Sequence, residues 1–453
     1  MIELRLSELA SAMNARLLGA DASFSSVSTD TRTLQKGALF VALKGPRFDG
    51  HDYLEVAVDS GAVAVVVDHE VAVSSAQLIV ADTRLAIGQM AAFWRQQSTA
   101  AVVAITGSNG KTTVKEMIAA ILGYRGSVLA TQGNLNNDIG MPLTLLRLQD
   151  QQFAVIEMGA NHPGEIDYLS KIAKPDVALL NNACRSHLEG FGSIEGVAKA
   201  KSEIVSGLSE TGCFVFNADD NFAPYWEGVA AGRQICTFGV KQVADISSTG
   251  DSVVQWNEKG FNQQFNVDTP IGELKVSLPL AGEHNRLNAL AAIAASLQLG
   301  ATTEDMVAGL ASVKPVKGRL QPWMSSNGVM LIDDSYNANP DSVTAAIDVL
   351  ATAPGRRFML LGELGELGEG TLGFYKELGE YAQRSGIDHL YSVGEAAVAA
   401  HAFGPGGVAC DTRELLIEAL QQELQAGDRV LVKGSRRAGM ELIVNALVVP
   451  ETD

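Results

Sequence analysis

Residues 101–122 read AVVAITGSNGKTTVKEMIAAIL, and no other stretch narrows the possible folds as much. Ala101–Thr106 has the character of a buried strand. Glycines at 107 and 110 mark a turn, and KTTVKEMIAAIL then reads as a helix. A buried strand that runs through a glycine turn into a helix belongs in a sheet of parallel strands. Strand-like runs recur at FAVIEMG (153–159) and DVALLNN (176–182), and these extend the same sheet. The glycines let backbone N–H groups turn inward around phosphate oxygens, and the helix N-terminus adds its dipole. Lys111 has the reach for β- and γ-phosphates, and the Thr112 hydroxyl suits Mg²⁺. Gly107, Ser108, Asn109, Gly110, Lys111, Thr112 and Thr113 are therefore the expected nucleotide-binding residues. The spacing departs from GxxxxGK[ST], because position 105 is Ile. By itself the loop says nucleotide, and it leaves kinase, transport ATPase and ligase open.

Two further units flank this one. In residues 1–82, ALFVAL (38–43), GAVAVVVD (61–68) and QLIVAD (77–82) read as strands. Asp82 or Thr83 is set to cap a connecting helix that runs to about Gln97. The central unit, 83–313, contains a stretch at 240–280 rich in Gly, Ser, Gln and Asn, whose period-2 runs predict an inserted antiparallel piece. NRLNALAAIAASLQLG (285–300) reads as a helix closed by Gly300. In 314–453, VMLIDD, RFMLLGEL, HLYSV and RVLVKG are strands separated by helices. Asn339-Pro340-Asp341 has the form of a helix start, and Asp411 with Glu414 predicts another. This last unit reads as a Rossmann-like domain, although no GxGxxG follows a strand. The expected class is α/β with three domains: an N-terminal UDP-binding domain, a central P-loop parallel-sheet ATPase domain and a C-terminal Rossmann-like domain.

Composition excludes other classes. There are 34 Lys+Arg against 52 Asp+Glu, a formal net charge of −18. Such a chain lacks the basic surface that nucleic-acid binding needs. Cys184, Cys213, Cys236 and Cys410 form no CxxC pair, which suits a reducing compartment. MIELRLSELA has no signal-peptide pattern, and the apolar run AVAVVV falls far short of the ~18 residues of a membrane span. A cytoplasmic monomer with no nucleic-acid partner and no stable membrane association is expected.

TGSNGKTT resembles the shortened phosphate loop of the Mur ligase family, which includes the folylpolyglutamate synthetases. NNACRSHLEGFGS, AKAKSEI, GEHNRLNALAA, VKGRLQP and DDSYNANP resemble its central and C-terminal motifs, in order. STDTRTLQKGALFVALKGPRFDGHDY resembles the UDP-sugar-binding start of later family members. GNLNNDIGMPLTLLRL, IEMGANHPGEI and LVKGSR narrow the likeness further, and it spans essentially the whole chain. Ala104 stands where members often carry Gly, a small departure that leaves phosphate binding intact.

The resemblance implies an ATP-dependent amide-forming ligase in peptidoglycan precursor synthesis. Its substrates would be UDP-N-acetylmuramoyl-tripeptide and D-alanyl-D-alanine, joined through an acyl phosphate. The implied cofactors are ATP, Mg²⁺ at two sites, and a carbamate formed from CO₂ on Lys201. By spacing Glu157 is equally a surface acid at a strand end or a carboxylate that faces the phosphate loop and holds Mg²⁺, and the resemblance makes it a Mg²⁺ ligand together with Thr112, His187 and carbamylated Lys201. Lys111, His187 and Lys201 are the implied catalytic set. Lys199 is a neighbouring rival for Lys201, and carbamate chemistry needs a neutral amine. Asn288 is implied at adenine, Arg319 at the ATP phosphates and Asp334, beside Asp333, at the ribose. Ser28, Asp30 and Arg32, with Thr29 and Thr31 among them, form a polar cluster for the UDP end with Lys44 and Gly45. Asn134, Asn136 and Asn137, next to Asp138, are expected at the sugar–peptide. Asn337, Asn339, Ser435 and Arg436 are expected on the dipeptide side, with Arg436 suited to a carboxylate. Competing readings are a ligase adding diaminopimelate or lysine, a folylpolyglutamate synthetase, and a P-loop regulatory ATPase. The DNPR motif of the diaminopimelate enzyme is absent, and a folate enzyme would lack the STDTR first domain.

Overall fold

The computed structural model describes residues 4–448 apart from 231, 366, 368 and 369. Three principal sheets follow one another along the chain. The strands and helices that carry the candidate site are labelled here. They are β1 (Ala101–Thr106), α1 (Lys111–Leu122), β2 (Phe153–Glu157), β3 (Val177–Leu180), α2 (Ile194–Ser202), α3 (Glu283–Gln298), β4 (Met330–Asp334), α4 (Pro340–Ala351) and β5 (Arg429–Lys433).

The N-terminal sheet runs in the order 16–18, 76–79, 64–67, 38–41, 26–28. Its first pair is antiparallel and the others are parallel. The helix Thr83–Gln97 starts at Asp82, whose Oδ1 accepts the N–H groups of Arg84 at 2.7 Å and Leu85 at 3.0 Å. That helix buries Ala86, Ile87, Met90 and Ala91 in a core shared by the N-terminal and central sheets.

In the central sheet β2, β1 and β3 lie side by side and parallel. Parallel strands continue outward through 213–217 and 234–239. The stretch expected as an inserted antiparallel piece does pair antiparallel through 253–257, 260–269 and 272–278, and it continues this same sheet. Ile246–Ser247 pairs parallel with 234–239 and antiparallel with 260–269. In strand 260–269, Phe261, Gln263, Phe265 and Val267 are buried while Gln264, Asn266 and Asp268 face water, the alternation of a one-sided antiparallel strand. Helices α1 and α3 cover one face of the parallel region, and Val114, Ile118, Leu290 and Ile293 are fully buried there.

The C-terminal sheet runs 321–324, β4, β5, 357–361, 389–393, 407–410, and only its first pair is antiparallel. Asn339 caps α4 by accepting the Ser342 N–H at 2.9 Å, with Pro340 at the first position. The helix Arg413–Glu423 is capped by Thr412 and not by Asp411, because the Thr412 hydroxyl accepts the Leu415 N–H at 3.3 Å.

Candidate active site

The phosphate loop leaves β1 with Gly107 at φ 147° and turns into α1 with Gly110 at φ 81°. Neighbouring strand β3 holds its shape. Thr106 lies beside Leu180, so the residues after β3 run alongside the loop. Ser108 N–H donates to the Asn182 carbonyl at 3.0 Å, and Asn109 N–H to Asn182 Oδ1 at 2.9 Å. The Asn181 amide donates to the Asn109 carbonyl at 3.0 Å and to Asn288 Oδ1 at 2.9 Å. A Cβ on Gly110 would sit 2.4 Å from Asn288 Oδ1 and 2.6 Å from Asn181 Nδ2. Gly110→Ala is therefore expected to lower stability by at least about 1 kcal/mol and to raise the KM for nucleotide. Thermal unfolding and initial rates against ATP check both.

Lys111 Nζ donates to the carbonyls of Gly107 at 2.7 Å and Ser108 at 3.2 Å. Burial pushes its amine below the usual lysine range, against the pull of Glu157. Thr112, at the head of α1, donates its hydroxyl to Glu157 Oε2 at 2.8 Å. Glu157 ends β2 and is 2% exposed, and its other oxygen accepts the Asn136 amide at 2.7 Å. A hydroxyl beside a buried carboxylate at a phosphate loop is a donor set that fits Mg²⁺, which takes oxygen ligands and keeps part of its water.

His187 stands at φ 51°, heads the short helix 188–191, and meets the Phe191 ring edge-on. Lys201, near the end of α2, is 1% exposed, whereas Lys199 faces solvent. Among the described residues its amine donates only to the Ala160 carbonyl, at 3.4 Å, and lies 5.3 Å from the centre of the Phe191 ring. Burial, reinforced by the Lys111 charge, pushes it down to about 7. A large share of its population at neutral pH is thus the free amine.

The loop residues Ser108–Thr112 line one cavity of about 1270 Å³ between the central and C-terminal sheets, together with Asn136, Glu157, Asn181, Asn182, His187, Lys201 and Asn288. Thr113 lines it too, as do Arg319, Asp334, Asn337, Asn339 and Arg436 from the C-terminal unit. Arg319 donates to the Thr112 hydroxyl at 3.0 Å and its guanidinium stacks over Tyr336. Asp334 accepts from Lys433 Nζ at 2.6 Å and from the Leu320 N–H at 3.1 Å. Its neighbour Asp333 is buried and turned to Ser335. Asn339 reaches across to Asn109 at 2.8 Å, and Arg436 pairs with Glu441 at 3.2 Å.

Other expected residues sit elsewhere or have local partners. Ser435 is buried behind the wall, with its N–H on the Glu363 carbonyl at 2.7 Å. Asn134, Asn136, Asn137 and Asp138 line the cavity, but Asn137 also accepts the Gly140 N–H at 2.8 Å and Asp138 binds Arg84 of the connecting helix. Ser28, Asp30, Arg32, Lys44 and Gly45 lie in the N-terminal unit, away from the cavity wall. There Asp30 and Arg32 pair at 2.6 Å, and Lys44 pairs with Asp49 at 3.5 Å.

Sequence reasoning passed over Asn181, Asn182, Lys433 and Arg185. Arg185 binds Asp341 at 2.7 Å and Glu377 at 3.2 Å, joining the central and C-terminal units beside the cavity. The signal for three of them was present in NNACRS, directly after an apolar strand.

His284 also lines the cavity, and burial with the nearby Lys433 pushes it down to about 4. An unfolded chain takes up this proton below about 6.5, while the folded chain refuses it until about 4. The contribution is complete above pH 6.5 and is lost as pH falls toward 4, by at most about 3 kcal/mol. Urea unfolding across that range is expected to show the slope, and His284→Gln to remove part of it.

A glycine phosphate loop on a parallel sheet, facing a second α/β domain across a polar cavity, defines a P-loop nucleotide-binding α/β protein. The sequence matches the Mur ligase middle domain over 105–296, the Mur ligase glutamate ligase domain over 318–436 and the Mur ligase family catalytic domain over 23–95. It is 48% identical, over 99% of both chains, to UDP-N-acetylmuramoyl-tripeptide–D-alanyl-D-alanine ligase of Escherichia coli. The chain belongs to the Mur ligase family. A crystal structure of MurF from Acinetobacter baumannii superposes with a TM-score of 0.92 at 38% identity, covering 99% of each chain. MurF ligase from Thermotoga maritima in complex with ADP gives 0.82 at 30% identity, covering 93% of this chain and 96% of that one.

Proposed function

We propose that this chain joins D-alanyl-D-alanine to UDP-N-acetylmuramoyl-tripeptide in peptidoglycan precursor synthesis, the reaction for which its curated relatives are named. The observation that carries the reading is the shared cavity. A phosphate loop, a buried carboxylate and a buried lysine on one domain face Arg319, Asp334 and Lys433 on the next. ATP supplies the phosphoryl group that makes the acceptor carboxylate an electrophile, and the ADP complex of the Thermotoga relative supports this choice.

The chain's own groups then have separable tasks. The loop N–H groups and Lys111 hold the phosphates, and Arg319 reaches them from the other domain. Asn288 meets adenine and Asp334 the ribose. Thr112, Glu157, His187 and Lys201 are the residues that would hold Mg²⁺, at two sites, and the ion would neutralise phosphate charge. The neutral Lys201 amine attacks CO₂, forms an N–C bond and loses a proton to solvent, so a neutral buried group becomes an anionic ligand. Asn337, Asn339 and Arg436 orient the dipeptide, with Ser435 supporting that wall from behind. Ser28, Asp30, Arg32, Lys44 and Gly45 take the UDP end, and Asn134, Asn136 and Asn137 the sugar–peptide. Residues 1–82, 83–313 and 314–453 are the working units, and their closure excludes water. No helix among the described residues is long and apolar enough to cross a membrane. The reading places a monomeric enzyme in the cytoplasm, with its ATP.

The test is incubation with ATP, Mg²⁺, UDP-N-acetylmuramoyl-tripeptide and D-alanyl-D-alanine. The expected result is pentapeptide and phosphate in equal amounts. Phosphate release that does not depend on the dipeptide would overturn the reading.

A further inference from the structure

A second cluster of ligating groups lies in the N-terminal unit, outside the cavity. Among the described residues, His51, Asp68 and His69 form a group whose potential ligand atoms all lie within 4.8 Å of one another. His51 sits in the 3₁₀ turn Gly50–Tyr53, and Asp68 and His69 directly follow the buried strand Ala64–Val67. The two imidazoles stack with centroids 4.9 Å apart. Asp68 Oδ1 is 3.2 Å from His51 Nε2 and also meets His69 Nδ1.

We propose that His51, Asp68 and His69 bind a divalent transition-metal ion of the Zn²⁺ type. Two imidazoles and one carboxylate are a borderline nitrogen–oxygen set that suits zinc, whereas Mg²⁺ and Ca²⁺ call for oxygen alone. The surroundings of His51 give the second argument. Asp49 Oδ1 accepts the His51 backbone N–H at 3.0 Å and meets Nδ1 at 2.6 Å. With its ring proton on Nδ1, toward this carboxylate, His51 would ligate through Nε2, the arrangement that orients metal-binding histidines. The Asp68 N–H points at that same Nε2 at 3.4 Å, as toward an acceptor. The His51 side chain is 9% exposed and therefore fixed, while that of His69 is 64% exposed. Tetrahedral zinc with bonds of about 2.0–2.1 Å sets ligand atoms roughly 3.3 Å apart, a spacing that His51 and Asp68 already hold at 3.2 Å and that the exposed His69 ring is free to adjust to. The fourth position opens to solvent. Because the turn that carries His51 follows hairpin strand Phe48–Asp49, bound metal stiffens the hairpin that bears Lys44 and Gly45.

The test is calorimetric titration of the full chain with Zn²⁺ in excess Mg²⁺, repeated with Co²⁺ by visible absorption. One equivalent is expected to bind at micromolar or tighter affinity, with tetrahedral Co²⁺ bands. His69→Ala, at an exposed position, is expected to weaken binding at least about tenfold, and Asp49→Asn about 10- to 100-fold. Thermal unfolding of each variant without metal shows whether it is folded. Absence of binding, or affinities in a folded His69→Ala protein equal to those of the parent, would overturn the proposal. In that event the cluster is a surface ion pair of Asp68 with two imidazoles.

Discussion

Lys201→Ala is expected to lower kcat by about 10²–10³-fold, the range for removing one preorganised charge from an active site, and to regain part of it when acetate or formate is added. The reason is physical. A lysine buried to 1% exposure, with no carboxylate bonded to it among the described residues, would carry an expensive cation. Burial and Lys111 instead hold it near 7, so the free amine is accessible to CO₂ at working pH. A carbamate there would carry the opposite charge, near Lys111 and on the wall of the cavity. Alanine removes that anion and leaves room where a small carboxylate can replace it. A structural role for Lys201 would predict lost stability with no response to carboxylate. Thermal unfolding alongside the rescue assay separates the two, and a folded variant with unchanged kcat would count against the carbamate.

Lys111→Met is expected to cost at least about 10³-fold in kcat/KM for ATP, about 4 kcal/mol. Its amine is held at the turn of the phosphate loop by the Gly107 and Ser108 carbonyls. Methionine keeps the stem's bulk and removes only the charge and its donors. Anchors of the loop at Asn181, Asn182, Cys184 and Asn339 do not involve Lys111. The fold is therefore expected to survive, and the loss to appear in phosphate transfer. Steady-state rates with varied ATP check this.

The parts of the site legible in the sequence are those encoded within one turn or one strand. The loop 107–113 is a local device, and its glycine positions declare it. Lys201 rather than Lys199, and Asp334 rather than Asp333, follow from motif context, and the structure puts the first of each pair on the cavity wall. What escaped depends on register between distant strands. Asn181 and Asn182 brace the loop because β3 lies parallel to β1, bringing together residues more than 70 positions apart. Lys433 meets Asp334 because those two residues pair across β4 and β5, 99 positions apart. Arg185 finds Asp341 only when two domains meet. Ser435 shows the converse, for a motif neighbour of Arg436 can turn into the core while Arg436 faces the cavity. The antiparallel piece at 240–280 was visible by its alternation, but its union with the parallel sheet rests on the two-residue strand Ile246–Ser247, too short to announce itself.

The central claim is that the cavity activates a carboxylate by phosphorylating it and then delivers an amine. Labelling the acceptor carboxylate of UDP-N-acetylmuramoyl-tripeptide with ¹⁸O tests it directly. A carboxylate oxygen that attacks the γ-phosphorus leaves again with phosphate when the amide forms. Mass spectrometry is therefore expected to find ¹⁸O in the inorganic phosphate released per pentapeptide made. Pentapeptide accompanied by phosphate without ¹⁸O would contradict the account.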